Sequence, residues 1–419
     1  MFNLKKNVWF AVIEFIINIG LVFASYRLVI MQGGIEALGL WTILFAWTSL
    51  IRIGDAGMAN ATVRFVAMLN LKTQKNKIQN YIETAILTNI GLFIILSFGG
   101  FFILNANLDL LVNEQNIDQA RSVLPVMFAS FFLLNISGVV LSSIVGLHLS
   151  YVRSQISVGG NILQLILVFF LVPTYGLFGL ALSQIVQYGV MLIIGWVIVR
   201  RISGISNIVP LGFKFLAFKE MLSFSLKAQI ANISNGLFEP ISKILVSHFG
   251  GLQVLGLYEL AFKSVWLPRN AAVAGTTATL PTLTAMFKRK SSEMLGVYKK
   301  AVRYTSLSVG VLMVCVALAS PVISYLWIGE IVWQYSAFII ILMVGVLFNS
   351  FGAAAYNLAT VTGYMRNNII VNLSVLAILI MGGVLAGLAL PIYGLVFLIA
   401  VAMGLGGVWI KILNERLLP

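Results

Sequence analysis

Charge is what this 419-residue chain has least of. Only 10% of its residues are Asp, Glu, Lys or Arg, against 60% hydrophobic, and the mean hydropathy is +1.00. That ratio excludes a soluble globular protein, whose exterior needs far more charge to stay in water. Cysteine is nearly absent: Cys315 stands alone in an apolar run, which excludes an internal disulfide and leaves it as a small packing residue. Histidine is almost as scarce, with only His148 and His248, isolated and near the ends of apolar runs. The chain also lacks a phosphate-binding loop, a metal-ligating cluster and a nucleophile triad, so the usual residues of acid–base and metal chemistry are missing. The result expected is not an enzyme and carries no bound cofactor.

What the chain does have is long apolar stretches. FIINIGLVFA, TNIGLFIILSFGGFFIL and LQLILVFFLV belong to runs that reach, or nearly reach, the length needed to cross a hydrocarbon core of ~30 Å. A window of about 20 residues finds twelve such segments, from 8–30 and 37–63 through 368–390 and 395–413. Their apolar pattern is helical rather than the alternation of a barrel. Lys5 and Lys6 before the first run imitate a signal peptide, but the run is too long and carries Glu14, so it reads as an uncleaved first span.

Orientation follows from the basic residues. Connections on one side hold 18 of the 27 Lys and Arg residues, among them Lys72, Arg200, Arg201, Lys288, Arg366 and Lys411. Connections on the other side hold none and carry Glu36, Asp109, Glu114, Asp118 and Glu330 instead. By the positive-inside rule both termini are cytoplasmic. The net charge of +14 is thus a topology signal, and nucleic acid is not an expected partner.

The chain also repeats itself. GGIEALGLW at 33–41 returns as GGLQVLGLY at 250–258, with five of nine residues identical and an offset of 217. Extending the match over 33–62 and 250–279 gives ten identities in thirty, including Phe45 with Phe262 and Arg52 with Arg269. PTYGL at 173–177 pairs with PIYGL at 391–395, and Tyr151-Val-Arg153 with Tyr364-Met-Arg366. The fold expected is therefore an all-α integral membrane protein of twelve transmembrane helices in two parallel six-helix bundles, with N and C termini inside. Residues 1–205 form the first bundle, 206–220 a cytoplasmic linker and 221–419 the second. Parallel repeats of this kind belong to transporters whose substrate site lies at the repeat interface.

Nine basic residues lie in or at the spans against five acids, although a charge at mid-bilayer costs at least ~2.5–3.5 kcal/mol. Arg64, Arg121, Arg303, Glu83 and Lys227 sit near span ends and read as snorkelling. Arg52 and Arg269 occupy equivalent deep positions; Arg27 and Lys243 are near-equivalents, and Lys263 falls near mid-membrane. Arg52 with Asp55 and Lys243 with Glu239 have the spacing of local ion pairs. Arg27, Lys263 and Arg269 read as cations without such a partner. A surplus of positive charge in a low-dielectric cavity calls for anionic cargo, and arginine suits phosphate through its bidentate fork.

The G-x-x-x-LG-LW opening of the second span, the IRIGDAGMANATVR stretch that closes it and the P-x-YGL turn in each half resemble Wzx-type O-antigen and polysaccharide flippases. These belong to the multidrug/oligosaccharidyl-lipid/polysaccharide exporter superfamily, the MOP superfamily, which includes MATE drug exporters and the lipid II flippase. The resemblance covers nearly the whole chain. It implies a multi-pass protein of the bacterial inner membrane that moves undecaprenyl-pyrophosphate-linked oligosaccharide between leaflets by alternating access. The implied partners are that lipid-linked substrate, membrane lipids, a polysaccharide polymerase and a chain-length regulator, and the implied drive is a proton or sodium gradient. Onto this sequence it carries a cationic lumen of Arg27, Arg52, Lys243, Lys263 and Arg269, with Glu14, Asp55, Arg64 and Glu239 as ion-coupling or charge-clamping residues. Two other classes compete. A cation-coupled multidrug exporter would favour acids over bases in its cavity, and a polytopic glycosyltransferase or polymerase would need a larger outward loop than NANLDLLVNEQNIDQ, which has 15 residues.

Overall fold

The computed structural model describes residues 4–51, 57–205, 207–277, 294–362 and 364–417. Among them the regular structure is helical, with no strand. In chain order the helices are α1 (Leu4–Ile51), α2 (Met58–Ala67), α3 (Lys75–Ala106), α4 (Glu114–Gly146), α5 (Ser150–Ser203) and α6 (Phe215–Gly236). They continue as α7 (Phe238–Thr277), α8 (Met294–Ile328), α9 (Trp333–Ser350), α10 (Gly352–Thr362), α11 (Arg366–Ala389) and α12 (Ile392–Glu415). Nine helical stretches among the described residues are long and apolar enough to cross a membrane.

Three of the nine are broken by glycine. At 1.5 Å per residue the 48 residues of α1 and 54 of α5 extend over ~70–80 Å, more than twice the ~30 Å core. Helix α1 breaks at Gly34 (φ 73°, ψ −177°) and α7 at Gly251 (φ 77°, ψ 178°). These are the second glycines of the two echo motifs, 217 residues apart, and they share one backbone conformation that is essentially closed to residues with a Cβ. Helix α5 breaks at Gly176 of the PTYGL turn, whereas PIYGL puts its proline at the start of α12.

The chain divides into two compact units. The first contains Met1–Gly34 and Trp47–Ile230. In it α4 packs against α2, α3 and α5, around a core that includes Met58, Ile82, Val139, Ile144 and Met221. The expected linker is fastened to this unit. The Glu83 carboxylate accepts the Gly212 backbone N–H at 2.7 Å and the Gln79 amide at 3.0 Å. The Lys214 N–H donates to Thr84 Oγ1 at 3.0 Å, the Trp196 indole to the Ile208 carbonyl at 2.6 Å, and the Tyr81 hydroxyl to Glu220. Glu83 is therefore not a snorkelling residue: it is 1% exposed beneath this strap.

The second unit contains Ala231–Pro419 and, from the first half of the sequence, Ile35–Ala46. Within it α7 packs on α8, α9 and α11, and α12 on α9, α10 and α11. The two copies of the echo motif meet here. A Cβ placed on Gly39 would lie 1.9 Å from the Leu252 carbonyl oxygen, and one on Gly256 would lie 2.3 Å from that of Ile35. Because 35 and 39 map onto 252 and 256 at an offset of 217, one contact is made twice with the roles exchanged. Backbones come this close where packing, not water, holds helices together.

Burial is the reverse of a soluble protein's. Ile95 and Phe102 on α3 and Leu318 on α8 are exposed, while Asn135, Gln164, Gln187, Asn368 and Asn414 are buried. In a bilayer the apolar side chains face lipid and polar ones must find partners inside.

Candidate functional site

In the second unit, the break at Gly251 folds the two limbs of α7 so that acids and bases from each can meet. Lys243 Nζ lies 2.7 Å from Glu239 Oε1 and 2.8 Å from Glu259 Oε2. Lys263 Nζ lies 3.1 Å from Glu239 Oε1 and 3.7 Å from Glu259 Oε1. Lys243 is 3% and Glu259 2% exposed, so these charges persist only because each faces opposite ones. The Tyr258 hydroxyl donates to Ser242 Oγ at 3.1 Å, and Ser242 donates to the Glu239 carbonyl at 2.8 Å, which ties the limbs together further. Two lysines and two glutamates sum to zero. Lys263, read above as partnerless, has Glu259 four residues before it on the same helix face, a pairing visible in the sequence.

Arg269 stands apart from this neutral cluster. Phe262, Trp266 and Arg269 follow the i, i+4, i+7 spacing and share a face. The Phe262 and Trp266 rings stack with centroids 5.3 Å apart, and the Arg269 guanidinium carbon lies 4.5 Å from the Trp266 ring centroid. Nη2 donates to Asn349 Oδ1 at 2.7 Å and Nη1 to Asn270 Oδ1 at 3.1 Å. The Asn349 amide donates in turn to the Met403 carbonyl at 3.0 Å, which turns its oxygen toward the arginine. The buried Nε has no hydrogen-bond partner, and among the described residues no carboxylate is within ion-pairing distance of Arg269. Neutral amides orient the guanidinium without cancelling its charge.

Arg269 lines a cavity of about 410 Å³ with Glu239, Trp266, Asn349, Tyr356 and Asn372. Asn372 Nδ2 is a second buried donor there without a partner. The surrounding helices are fastened by amides: Asn414 donates to the Ala355 carbonyl at 3.0 Å and to Asn368 Oδ1 at 2.7 Å, and Asn368 donates to the Tyr356 carbonyl at 3.3 Å. An aromatic face, several amides and one uncancelled guanidinium are what a ligand with hydroxyls and an anionic group needs.

The remaining predicted residues fall elsewhere. Arg27 is half-buried on α1 in the first unit. Glu14, also on α1, pairs with Arg153 of α5 at 3.1 Å. Arg64, on α2, is exposed and lies 4.1 Å from the Phe224 ring centroid. Arg52 and Asp55 lie outside the described residues. Of the five lumen cations, then, the second unit holds Lys243, Lys263 and Arg269, two of them neutralised.

Asn349, Trp266 and Asn372 were not singled out from sequence. Asn349 does leave a signal: LLNISG at 133–138 returns as LFNSFG at 347–352, pairing Asn135 with Asn349. No acid or base marks it, and a lone amide in an apolar run draws no attention until its partner is seen.

A family model described as "Polysaccharide biosynthesis protein" matches residues 34–337. No curated protein sequence matches the chain. Among solved structures, the chain is similar to an inward-facing conformation of a multidrug resistance MATE family transporter of the MOP superfamily. The TM-score is 0.82 at 14% identity, covering 95% of this chain and 94% of that one. An outward-facing conformation of a MATE transporter gives 0.70 at 14% identity over 99% and 95%. A MOP superfamily transporter from Pyrococcus furiosus, described as having a binding pocket of reverse polarity that suggests a different function, gives 0.69 at 14% over 99% and 95%. The fold is that of MATE transporters, as the resemblance implied.

Proposed function

We propose, because the chain belongs to the family of polysaccharide biosynthesis proteins, that it carries a polyprenyl-pyrophosphate-linked oligosaccharide across the bacterial cytoplasmic membrane by alternating access. If the glycine-broken helices α1, α5 and α7 each cross twice, the nine apolar stretches become twelve crossings, and the distribution of basic residues puts both termini in the cytoplasm. Arg269 carries this reading: a guanidinium held by neutral amides, its Nε open, on a cavity lined by Trp266, Tyr356 and Asn372. The guanidinium would take an anionic group of the cargo, and the aromatic and amide walls its sugar hydroxyls. Glu14, paired with Arg153, and Asp55 are the carboxylates through which an ion gradient would act.

The test is translocation of a lipid-linked oligosaccharide in proteoliposomes. Arg269→Ala should reduce the rate at least tenfold, about 1.4 kcal/mol, while Arg269→Lys retains part of it because charge survives and the fork does not. An unchanged rate in Arg269→Ala would overturn the assignment. Glu239 on the same cavity favours one competing reading, a multidrug exporter, in which an organic cation would take the place of one of its two lysines. Efflux of a cationic dye by the purified protein, abolished in Glu239→Gln, would decide for it.

A further inference from the structure

A second cavity, of about 680 Å³, lies between α8, α9 and α12 in the second unit and shares no lining residue with the Arg269 cavity. It is a groove on the lipid-facing surface: Leu307, Val311 and Val314 along α8 are more than half exposed. Polar groups gather at one end. Arg303 and Ser306 come from the first half of α8 and Lys411 from the last turns of α12. Beyond them the walls are aliphatic as far as Val314 and Cys315. From Arg303 to Cys315 the helix rises ~18 Å, rather more than half of a ~30 Å hydrocarbon core.

The polar end is built for an anion. Among the described residues, no carboxylate lines the groove or ion-pairs with Arg303 or Lys411. Lys411 Nζ lies 5.7 Å from the Phe351 ring centroid, which holds the ammonium beside the groove. The Ser306 hydroxyl is buried with no partner, although Ser264 and Ser350 on neighbouring helices donate to carbonyls of the preceding turn at 2.8 and 2.6 Å. Two cations and an unspent hydroxyl head a single apolar trough whose volume is that of a one-ligand site.

We propose that this groove binds the polyprenyl chain of a phosphate-headed carrier lipid, with Arg303, Lys411 and Ser306 on the phosphate. The site rests on the proposed function for its choice of lipid, and it gives the cargo a second handle: the tail and its phosphate are held against α8 while the oligosaccharide is handled in the Arg269 cavity. Both cations lie on the side read as cytoplasmic, where the loaded carrier would arrive.

The experiment uses the full chain in phosphatidylcholine nanodiscs with an undecaprenyl phosphate probe bearing a diazirine in its tail. After photolysis, adducts should map to α8 between Leu307 and Cys315. Unlabelled undecaprenyl phosphate should compete at least tenfold better than phosphatidylglycerol. Arg303→Gln/Lys411→Gln should cut labelling at least tenfold. Gly310→Leu should do the same with both charges intact, because a Cβ on Gly310 meets only Leu347 Cδ1 at 3.7 Å and a larger side chain fills the groove. Equal competition by phosphatidylglycerol would make the groove an ordinary lipid contact and overturn the proposal, as would adducts confined to other helices. Translocation is not read in this assay. A chain that labels on α8 without moving oligosaccharide would refute the transport reading alone, and one that transports with α8 unlabelled would refute the groove alone.

Discussion

The two halves of the chain share a backbone plan and differ in chemistry. At the 217-residue offset, Gly34 matches Gly251 in conformation and Gly39 matches Gly256 in contact. Leu38 and Leu40 match Leu255 and Leu257 in near-complete burial. The charged cluster is not repeated: Glu239, Glu259, Lys263 and Trp266 correspond to Val22, Thr42, Ala46 and Ser49. A left-handed turn and a carbonyl two ångströms from a Cβ leave the sequence one choice, glycine. Side-chain chemistry carries no such demand, so it could diverge, and the second half holds the described polar cavity.

The largest expected effect tests that divergence. Lys243→Ala leaves Glu259 buried and Glu239 half-neutralised, which should cost about 3–5 kcal/mol, the usual result of breaking a buried pair. Removing one charge of each sign, Lys243→Met/Glu259→Met, keeps the Glu239–Lys263 pair and should recover most of that loss. Thermal unfolding in detergent distinguishes the two outcomes, and equal destabilisation would mean that the cluster is held by packing rather than by charge.

The shared part is tested by Gly39→Ala and Gly256→Ala. Each Cβ must push a backbone carbonyl aside, at roughly 1–3 kcal/mol in the range of overpacked cores. Reciprocity requires the two losses to be similar. One tolerated substitution beside one harmful one would break the equivalence of the motif copies.

The smallest effect compares two asparagines. Asn349→Ala removes one of the two amide acceptors of Arg269 and should lower translocation severalfold, with a loss of stability of about 1 kcal/mol. Asn135, its counterpart, donates to the Phe131 carbonyl one turn back at 2.7 Å, so Asn135→Ala should cost about 0.5–1.5 kcal/mol in stability and leave translocation nearly intact. Equal losses of transport would place both amides in one functional role.

Much of this is legible in the order of residues alone. Gly34, Gly39, Gly251 and Gly256 announce themselves by repetition, and the depth of Arg269 follows from counting along its apolar run. Glu83 was misread because its partner, the Gly212 N–H, lies 129 residues away, and a helix-end acid without a visible partner looks like a surface residue. Lys263 reads as surplus charge only when Glu259, four residues before it, is not paired with it, and only the fold at Gly251 brings Glu259 to Lys243 across sixteen residues.

The sequence by itself determined that this is a helical membrane protein made of two related halves, because hydropathy, basic-residue placement and repetition are properties of the order of residues alone. It also marked its glycines by repetition, but only at Gly34 and Gly251 is the demand a local one of backbone conformation; at Gly39 and Gly256 it comes from a carbonyl of the other motif copy. Which charges cancel and which remain was decided by the tertiary structure. Coulomb energy in a low dielectric depends on separations of a few ångströms, and those are set by how α7 folds on itself and where Asn349 meets Arg269, not by spacing along the chain.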